Sequence, residues 1–318
     1  MKIVVTGALG HIGSRLIREL QHHVVKGPEP IDIVMVDDLS TQRYASLFDL
    51  PGGARYRFIE GDVTKMDLEP VLDGAHAVIH LAAITDATRS FERKEETEEN
   101  NYTGTLRVAK AAARHGVRMI YPSSTSVYGT QKDLVDENCG PEDLKPQSPY
   151  AETKLREEAL LAQLAGERNL KQVTLRFGTI FGTSPGMRFH TAVNKFCWQA
   201  VMGEPLTVWR TALDQKRPYL DLGDAVRAVG HFITKDLFDG GIYNVLTHNA
   251  TVREVVEAIR AQVPHLAVTQ VETRIMNQLS YEVACAKLKA TGFEARGDMR
   301  DAIAATVRLL QRAGTAKA

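Results

Sequence analysis

The chain has 318 residues, no formal net charge and three cysteines, and these features exclude several classes of protein. Its 39 basic and 39 acidic residues argue against a nucleic-acid-binding surface, which usually leaves a basic excess. The cysteines are widely separated and form no CxxC pair, which indicates reduced thiols and no metal site. No apolar run reaches the length of about 18 residues that a membrane span needs, and the first residues do not show the charged and apolar regions that are typical of a leader peptide. We therefore expect a cytoplasmic protein that binds neither nucleic acid nor a membrane.

The first half of the chain alternates between strand-like and helical patterns. Apolar runs predict strands at Lys2 to Thr6, Ile31 to Val36, Tyr56 to Glu60, Ala77 to Leu81, Met119 to Tyr121 and Val173 to Phe177. Helical spacing lies between them, most clearly at Ile12 to Leu20, Glu92 to His115 and Tyr150 to Gly166. Strands that alternate with helices predict a parallel sheet that is covered on both faces.

Beyond Phe177 the alternation is less regular. Helices are predicted at Val193 to Gly203, Asp224 to Ile233, Thr251 to Val263 and Met299 to Ala313, and strands at Leu206 to Val208 and Gly241 to Val245. Thr251 precedes its helix and Glu254 follows three residues later, which indicates a capping box.

A glycine-rich turn joins the first strand to the first helix. It contains Gly7, Gly10 and Gly13 and has the sequence TGALGHIG. Glycines at this spacing let the backbone turn tightly and approach a pyrophosphate, and the N–H groups that begin the helix at His11 and Ile12 point at that anion. The position between strand and helix favours a dinucleotide site over a purely structural turn.

Acidic residues end the second and third strands. Asp37, followed by Asp38, lies 24 residues after Gly13, where a carboxylate accepts hydrogen bonds from the adenosine ribose and repels a 2′-phosphate. This favours NAD over NADP, although Arg43 is a nearby cation. Asp62 and Val63 are expected near the adenine.

Tyr150 and Lys154 lie one turn apart at the start of a predicted helix and share a face. An ammonium at this distance is expected to hold the pKa of the phenol below its usual value of about 10. Such a pair also occurs by chance, so its meaning depends on the other motifs.

Three further motifs, together with the glycine turn and Asp37, support a catalytic interpretation of Tyr150 and Lys154. They are YPSSTSVYG after the strand that ends near Tyr121, HLAA from His80 and NYTGT from Asn101. In this order and spacing the motifs resemble the extended short-chain dehydrogenase/reductase family, and within it the NAD-dependent nucleotide-sugar epimerase/dehydratase group that includes UDP-glucose 4-epimerase.

The resemblance implies specific roles. Tyr150 would exchange the proton, Ser124 would hold the substrate hydroxyl, and Lys154 would also hold the nicotinamide ribose. His80, Leu81, Ala82, Ala83 and Asn101 would line the cofactor channel, and Thr85 and Thr125 would lie beside the substrate. The resemblance also implies a homodimer that associates through the helices at Glu92 to His115 and Tyr150 to Gly166.

The residues after Ser124 distinguish the reactions within this group. Dehydratases of the group carry an Asp-Glu pair there, whereas this chain has Thr125 and Ser126, which cannot act as general acid and base near neutral pH. The pattern therefore favours an epimerase that acts at C4 through a transient 4-keto sugar. A nucleotide-sugar 4-dehydrogenase or ketoreductase is the alternative, and a 4,6-dehydratase or a cofactor-sensing regulatory protein is less favoured.

Several residues of the last third resemble substrate contacts of nucleotide-sugar enzymes. Arg217 matches an arginine that binds the diphosphate, where a guanidinium can form a bidentate pair. Trp209 and Asn194 are candidates for contact with the nucleotide, and a packing role is equally open for both. Thr179 replaces an asparagine that is often near the sugar, and Arg188 lies in the segment SPGMRF, facing either substrate or solvent.

These observations together predict an α/β protein, with a Rossmann-type doubly wound parallel sheet and a smaller C-terminal lobe. We expect an NAD-binding domain at 1–178 with a return segment at about 219–247. The lobe that binds a nucleoside-diphosphate sugar is expected at 179–218 and 248–318.

Overall fold

The structure is a computed structural model, and it describes residues 1–24, 27, 29–86, 89–129, 134–271 and 281–311. None of the helices in these ranges is long and apolar enough to cross a membrane. The strands are β1 (Lys2–Thr6), β2 (Ile31–Asp37), β3 (Ala54–Glu60), β4 (Ala77–His80), β5 (Arg118–Ser124), β6 (Leu134–Val135), β7 (Gln172–Phe177), β8 (Thr179–Phe181), β9 (Leu206–Trp209), β10 (Lys216–Asp221), β11 (Ile242–Val245), β12 (His248–Thr251), β13 (Val268–Val271) and β14 (Glu282–Val283). The α-helices are α1 (His11–Val24), α2 (Glu69–Leu72), α3 (Lys94–His115), α4 (Pro149–Arg168), α5 (Ala192–Val201), α6 (Leu222–Lys235), α7 (Val252–Arg260), α8 (Ala286–Ala290) and α9 (Met299–Gln311).

A seven-stranded sheet forms the centre of the described fold. Its order is β11-β7-β5-β4-β1-β2-β3, and every neighbouring pair is parallel. The strand order reverses between β1 and β4, so a crevice opens at the carboxyl ends of these strands, where ligands bind in such sheets. The predicted Rossmann-type doubly wound sheet is confirmed.

The sheet is covered on both faces because its strands are apolar on both sides. Ile3 and Val5 of β1 belong to a buried cluster with α1 and α6, whereas Val4 belongs to the cluster with α3 and α4. Successive side chains of a strand point to opposite faces, and a continuous apolar run therefore serves both helical layers. The helices in turn position the ends of the strands around the crevice.

Two elements differ from the sequence-based prediction in ways that affect the site. β5 continues past Tyr121 to Ser124, so Ser124 is the last residue of a strand rather than part of a loop. β10 was not predicted, and it contains Pro218, a residue type that is rarely found inside a sheet. The proline is tolerated because β8 pairs with β10 only from Tyr219 onward, so the missing N–H faces no partner on that side.

We retain the division into two lobes as a proposal. Residues of α5, β9, α7 and α9 form their own buried cluster, which includes Phe196, Leu206, Val255 and Ile303. This supports a second lobe at 179–218 and 248–318. The capping box at the start of α7 is confirmed, whereas the predicted end of the last helix at Ala313 lies outside the described residues.

Candidate active site

The glycine turn packs so closely that side chains are excluded from it. Gly7 has a φ of 64°, and a Cβ added there would lie 2.6 Å from the backbone nitrogen of Ala82. A Cβ on Gly13 would overlap the carbonyl oxygen of Gly7. The glycines therefore let β1, α1 and the chain after β4 converge, with the unpaired N–H groups of the first turn of α1 at the crevice.

Asp37 is fixed at the end of β2 by two backbone groups. Its Oδ2 accepts a hydrogen bond from the Leu9 N–H at 3.0 Å, and its Oδ1 accepts one from the Leu39 N–H at 3.0 Å. Burial raises the pKa of Asp37, and these two hydrogen bonds oppose the rise. Each carboxylate oxygen keeps a lone pair for a further donor, as a ribose diol would require.

A cavity of about 530 Å³ extends from this turn to the carboxyl ends of β4 and β5. Its volume lies within the range of ligand pockets. Most of the predicted site residues line it, namely Gly7, Gly10, His11, Ile12, Gly13, Asp37, Asp38, Asp62, Val63, Leu81, Ala82, Ala83, Thr85, Ser124, Tyr150, Lys154 and Thr179. The residues predicted to bind the cofactor, to catalyse the reaction and to bind the sugar thus line the same cavity.

Ser124 and Tyr150 line the same cavity from different elements. Ser124 ends β5, and its Oγ accepts hydrogen bonds from the Ser126 N–H at 3.1 Å and the Ser126 hydroxyl at 2.8 Å. Tyr150 lies in the first turn of α4, which Ser148 caps by accepting the Ala151 N–H at 3.2 Å. The cap and the strand end therefore fix the two hydroxyl-bearing residues on rigid elements.

Burial raises the pKa of Tyr150, while the positive charge of Lys154 opposes that rise. The expectation that the lysine would bring the phenol below its usual pKa is therefore wrong in this structure. The ammonium lies 5.8 Å from the centre of the Tyr150 ring, and the loss of hydration outweighs its attraction.

Lys154 contacts two residues that sequence reasoning missed. Its Nζ donates a hydrogen bond to the Tyr121 hydroxyl at 2.9 Å and lies 3.5 Å from Oε2 of Glu157. Glu157 follows Lys154 by three residues on one helix, so i,i+3 spacing could have indicated the pair. Tyr121 is brought there only by the packing of α4 on β5.

His80 ends β4 and is buried in the wall of the cavity. Its Nδ1 lies 2.7 Å from the Thr6 hydroxyl, and burial lowers the pKa of His80 to about 3, so the ring is neutral. Its Nε2 is buried and has no partner in the part of the chain that the structure describes. The ring therefore presents a polar atom for which a bound group can supply the partner.

The segment after β8 adds a cationic wall to the cavity. Arg188 of this segment donates a hydrogen bond to the Thr85 hydroxyl at 2.9 Å. His190 of the same segment and Arg43, which follows β2, line the cavity with it. Burial and the Arg188 charge lower the pKa of His190 to about 4, so its ring is neutral. The sequence left Arg188 open between substrate and solvent, and the structure places it at the cavity.

Three predicted site residues lie beside the cavity and bond to the protein itself. Asn101 is buried, accepts the Ile84 N–H at 2.8 Å and donates to the Ile84 carbonyl at 2.9 Å, which fixes the loop after β4. Thr125 is buried and donates to the Phe177 carbonyl. Asn194 is fully buried and holds the backbone of the segment that carries Arg188. In this structure these residues fix the backbone around the cavity.

Trp209 and Arg217 also lie outside the cavity. Trp209 ends β9 and is half-buried. Arg217 lies on β10, donates a hydrogen bond to Oε1 of Gln215 at 2.9 Å and has its guanidinium carbon 5.6 Å from the centre of the Tyr281 ring. Their contact with a substrate stays a prediction.

The arrangement fits a dinucleotide along the crevice. The glycine turn and the start of α1 suit a pyrophosphate, and Asp37 suits the adenosine ribose. His80 lines the same cavity, and its buried Nε2 has no partner among the residues that the structure describes. Fold and site together define a dinucleotide-binding α/β enzyme with a tyrosine–lysine pair.

Comparisons with known proteins give the family. The sequence model of the NAD dependent epimerase/dehydratase family matches residues 3–245. The uncharacterized UDP-glucose epimerase YtcB of Bacillus subtilis is 30% identical over 273 residues, covering 81% of each chain. A dTDP-glucose 4,6-dehydratase of Streptomyces griseus is 29% identical over 318 residues, covering 96% of this chain and 92% of its own.

Solved structures agree with this assignment. MoeE5 in complex with UDP-glucuronic acid and NAD is 28% identical and has a TM-score of 0.84, covering 98% of this chain and all of its own. UDP-glucuronic acid 4-epimerase of Bacillus cereus is 24% identical, covers 99% of this chain and all of its own, and shows the shared fold with a TM-score of 0.86. The chain belongs to the NAD-dependent epimerase/dehydratase family, and it is an enzyme that uses NAD.

Proposed function

We propose that this enzyme is an epimerase that inverts C4 of a nucleoside-diphosphate sugar through a transient 4-keto sugar. The observation that carries the proposal is the end of β5, where Ser124 and Ser126 line the cavity with Tyr150 and the intervening Thr125 is buried, so that this segment carries hydroxyl groups and no carboxylate. Hydroxyls can orient a sugar, but they cannot act as the acid and base of an elimination.

The residues divide the chemistry as follows. Tyr150 takes the proton of the C4 hydroxyl, and Ser124 holds that hydroxyl by a hydrogen bond. Lys154 supplies a positive charge behind the phenol. The glycine turn and Asp37 would hold NAD, which would supply the acceptor and donor of the C4 hydride. Inversion then requires that the keto sugar turn over in the cavity before Tyr150 gives the proton back.

Two other reactions make distinct demands on this site. A 4-dehydrogenase or ketoreductase needs the same three residues and stops after one half-reaction. A 4,6-dehydratase needs further acid–base groups, and the described cavity offers Asp86 and Glu96, which lie outside β5. Because the family contains both epimerases and dehydratases, the course of the reaction must be measured.

We expect the enzyme to form the C4 epimer of its substrate in heavy water without deuterium at any carbon. The hydride returns to the carbon it left, and only oxygen-bound protons exchange with solvent. UDP-glucose and UDP-glucuronic acid are the first substrates to test, and NMR of the product measures both configuration and deuterium content.

Each other result of this experiment contradicts the proposal in a different way. Deuterium at C5 with a 4-keto-6-deoxy product would identify a dehydratase, and Asp86→Asn and Glu96→Gln would then test which carboxylate acts. Inversion at C3 or C5 with deuterium there would identify a keto-enol epimerase. Stoichiometric NADH without an epimer would identify the dehydrogenase.

The preference for NAD over NADP is expected to depend on Asp37. Its carboxylate is held by Leu9 and Leu39 where a 2′-phosphate would lie, and a like-charge contact costs several kcal/mol. Asp37→Ala should reduce the ratio of the affinity for NAD to the affinity for NADP at least about 10-fold. The like-charge cost is removed in this variant, while Arg43 remains in the cavity wall. Calorimetric titration with both cofactors measures the change. Equal preferences in wild type and variant would contradict the assigned role.

We retain Arg217 as a proposed contact of the substrate diphosphate, with Trp209 near the base. Arg217→Ala should weaken binding of UDP by about 10-fold, the scale of a hydrogen bond to a charged group, and leave NAD binding unchanged. Calorimetric titrations with UDP and with NAD separate the two effects. An equal loss for both ligands would instead show that Arg217 supports the fold through Tyr281 and Gln215.

We also propose a homodimer. α3 and α4 pack against each other on one face of the sheet, and α4 exposes Ala159 and Ala162 on its outer side. Two copies that meet through these helices would form a four-helix bundle. Such an interface would bury the outer side of α4, the helix that carries Tyr150 and Lys154.

A further inference from the structure

Two adjacent glutamates of α4 are buried under the active site. Glu157 is 1% exposed and Glu158 is 7% exposed, and charged residues are rarely buried to this degree unless they are paired. Glu158 forms an ion pair with Arg176 at 2.6 Å. Glu157 faces the other way, toward the catalytic lysine, and the function proposed above gives it no role.

Three groups hold the Glu157 carboxylate. Thr105 of α3 donates to Oε1 at 2.5 Å, and Tyr121 of β5 donates to Oε2 at 2.5 Å. Oε2 also lies 3.5 Å from Nζ of Lys154. The carboxylate therefore joins α3, β5 and α4 at one point, and charge-assisted hydrogen bonds of this kind are the strong ones.

The same hydroxyl of Tyr121 contacts Lys154. It accepts a hydrogen bond from Nζ at 2.9 Å while it donates to Glu157, so it bridges the two charges. Lys154 is 4% exposed and Tyr121 is fully buried, and water does not compete for these bonds. An ammonium has three donors, and Lys154 lines the cavity whereas its partners Tyr121 and Glu157 are not among the lining residues.

We propose that Glu157 and Tyr121 are positioning residues that fix the ammonium of Lys154 behind Tyr150. This inference depends on the proposed roles of Tyr150 and Lys154. Without the carboxylate and the phenol, the buried ammonium would lose the hydrogen bond and the ion pair that hold it in the described residues. A displacement of about 1 Å at such a group can cost a large factor in turnover.

The charged residues near Tyr150 in the described chain affect its pKa, which can be measured. They are Lys154 and Glu157 of its own helix and Arg188 of the segment after β8. The Glu157 carboxylate raises the pKa of Tyr150, whereas both cations lower it. Removal of the carboxylate should therefore lower the pKa of Tyr150, so that the phenol ionises at lower pH.

Glu157→Gln and Tyr121→Phe test the two parts of this arrangement. Both variants should lower kcat at least about 10-fold and change the substrate KM by less than about 3-fold, because orientation and not substrate binding is lost. Glu157→Gln should also move the acid limb of kcat/KM to lower pH by about 1 unit, the scale of a nearby charge. Tyr121→Phe keeps the carboxylate, so its acid limb should not move to lower pH.

Glu158→Gln is the matched control. It changes a neighbouring buried glutamate that contacts Ser123 and Arg176 and not Lys154. It should lower the unfolding temperature, yet keep kcat and the acid limb near wild type when activity is normalised to the folded fraction measured by circular dichroism. A loss of kcat in Glu158→Gln equal to that in Glu157→Gln would overturn the inference, as would wild-type kcat in both Glu157→Gln and Tyr121→Phe.

A titration without substrate separates this inference from the proposed function. The ultraviolet difference spectrum between each protein and its Tyr150→Phe counterpart reports phenolate formation at Tyr150. Phenolate should form at lower pH in Glu157→Gln than in wild type, and an unchanged titration would overturn the inference. If Tyr150→Phe itself keeps its turnover, the proposed function fails while this titration can still succeed.

Discussion

Tyr150→Phe is expected to lower turnover at least about 100-fold, the lower range for general acid–base catalysis, while the fold persists. The variant removes one hydroxyl from the first turn of α4. Ser124 and Ser126 at the end of β5 line the same cavity, but an alcohol is a far weaker acid than a phenol. Conversion of the nucleotide sugar measures the loss, and circular dichroism measures the fold.

Two companion variants show whether the loss has the proposed cause. Ser124→Ala should lose less than Tyr150→Phe, because Ser124 orients the hydroxyl and transfers no proton. Lys154→Met removes a charge that lowers the pKa of Tyr150, so activity should require higher pH and the acid limb of kcat/KM should move upward. Near-normal turnover in Tyr150→Phe would show that another group is the base.

The fold could be predicted from sequence because each strand of the central sheet is a short apolar run between helical patterns. β1 coincides with its predicted range, since Gly7 ends the strand abruptly. β10 could not be predicted, because the tolerance of Pro218 depends on where β8 begins to pair with it. Local sequence patterns thus predict elements whose ends are set by local signals. They fail where the element depends on the strand that pairs with it.

The site shows the same distinction. Motif residues near strand ends, such as Asp37 and Ser124, line the cavity because parallel strands end at one edge. Asn101 and Thr125 belong to equally clear motifs, yet their side chains bond to the backbone of Ile84 and Phe177. A motif cannot tell a ligand contact from a contact that supports one, because the direction of a side chain depends on packing.

A second buried network, separate from the one at Lys154, joins α4 to β5 and β7. Arg176 of β7 donates to Glu158 of α4 through Nε at 3.0 Å and Nη2 at 2.6 Å, and it donates to the Tyr128 hydroxyl at 2.9 Å. The side chains of Arg176 and Glu158 are 3% and 5% exposed. Ser123, the neighbour of Ser124, donates to the same carboxylate at 2.5 Å.

Arg176→Met is expected to lower the free energy of unfolding by about 3–5 kcal/mol, because it leaves the Glu158 carboxylate buried and without its cation. Chemical denaturation followed by circular dichroism measures the change. The double variant Arg176→Met with Glu158→Leu should be more stable than the single variant, since replacing both charges removes the desolvation cost that the pair carries. A single variant within about 1 kcal/mol of wild type, the size of a surface pair, would contradict this account. If the double variant were the less stable of the two, the hydrogen bonds to Ser123 and Tyr128, which apolar side chains cannot replace, would outweigh the desolvation cost of the pair.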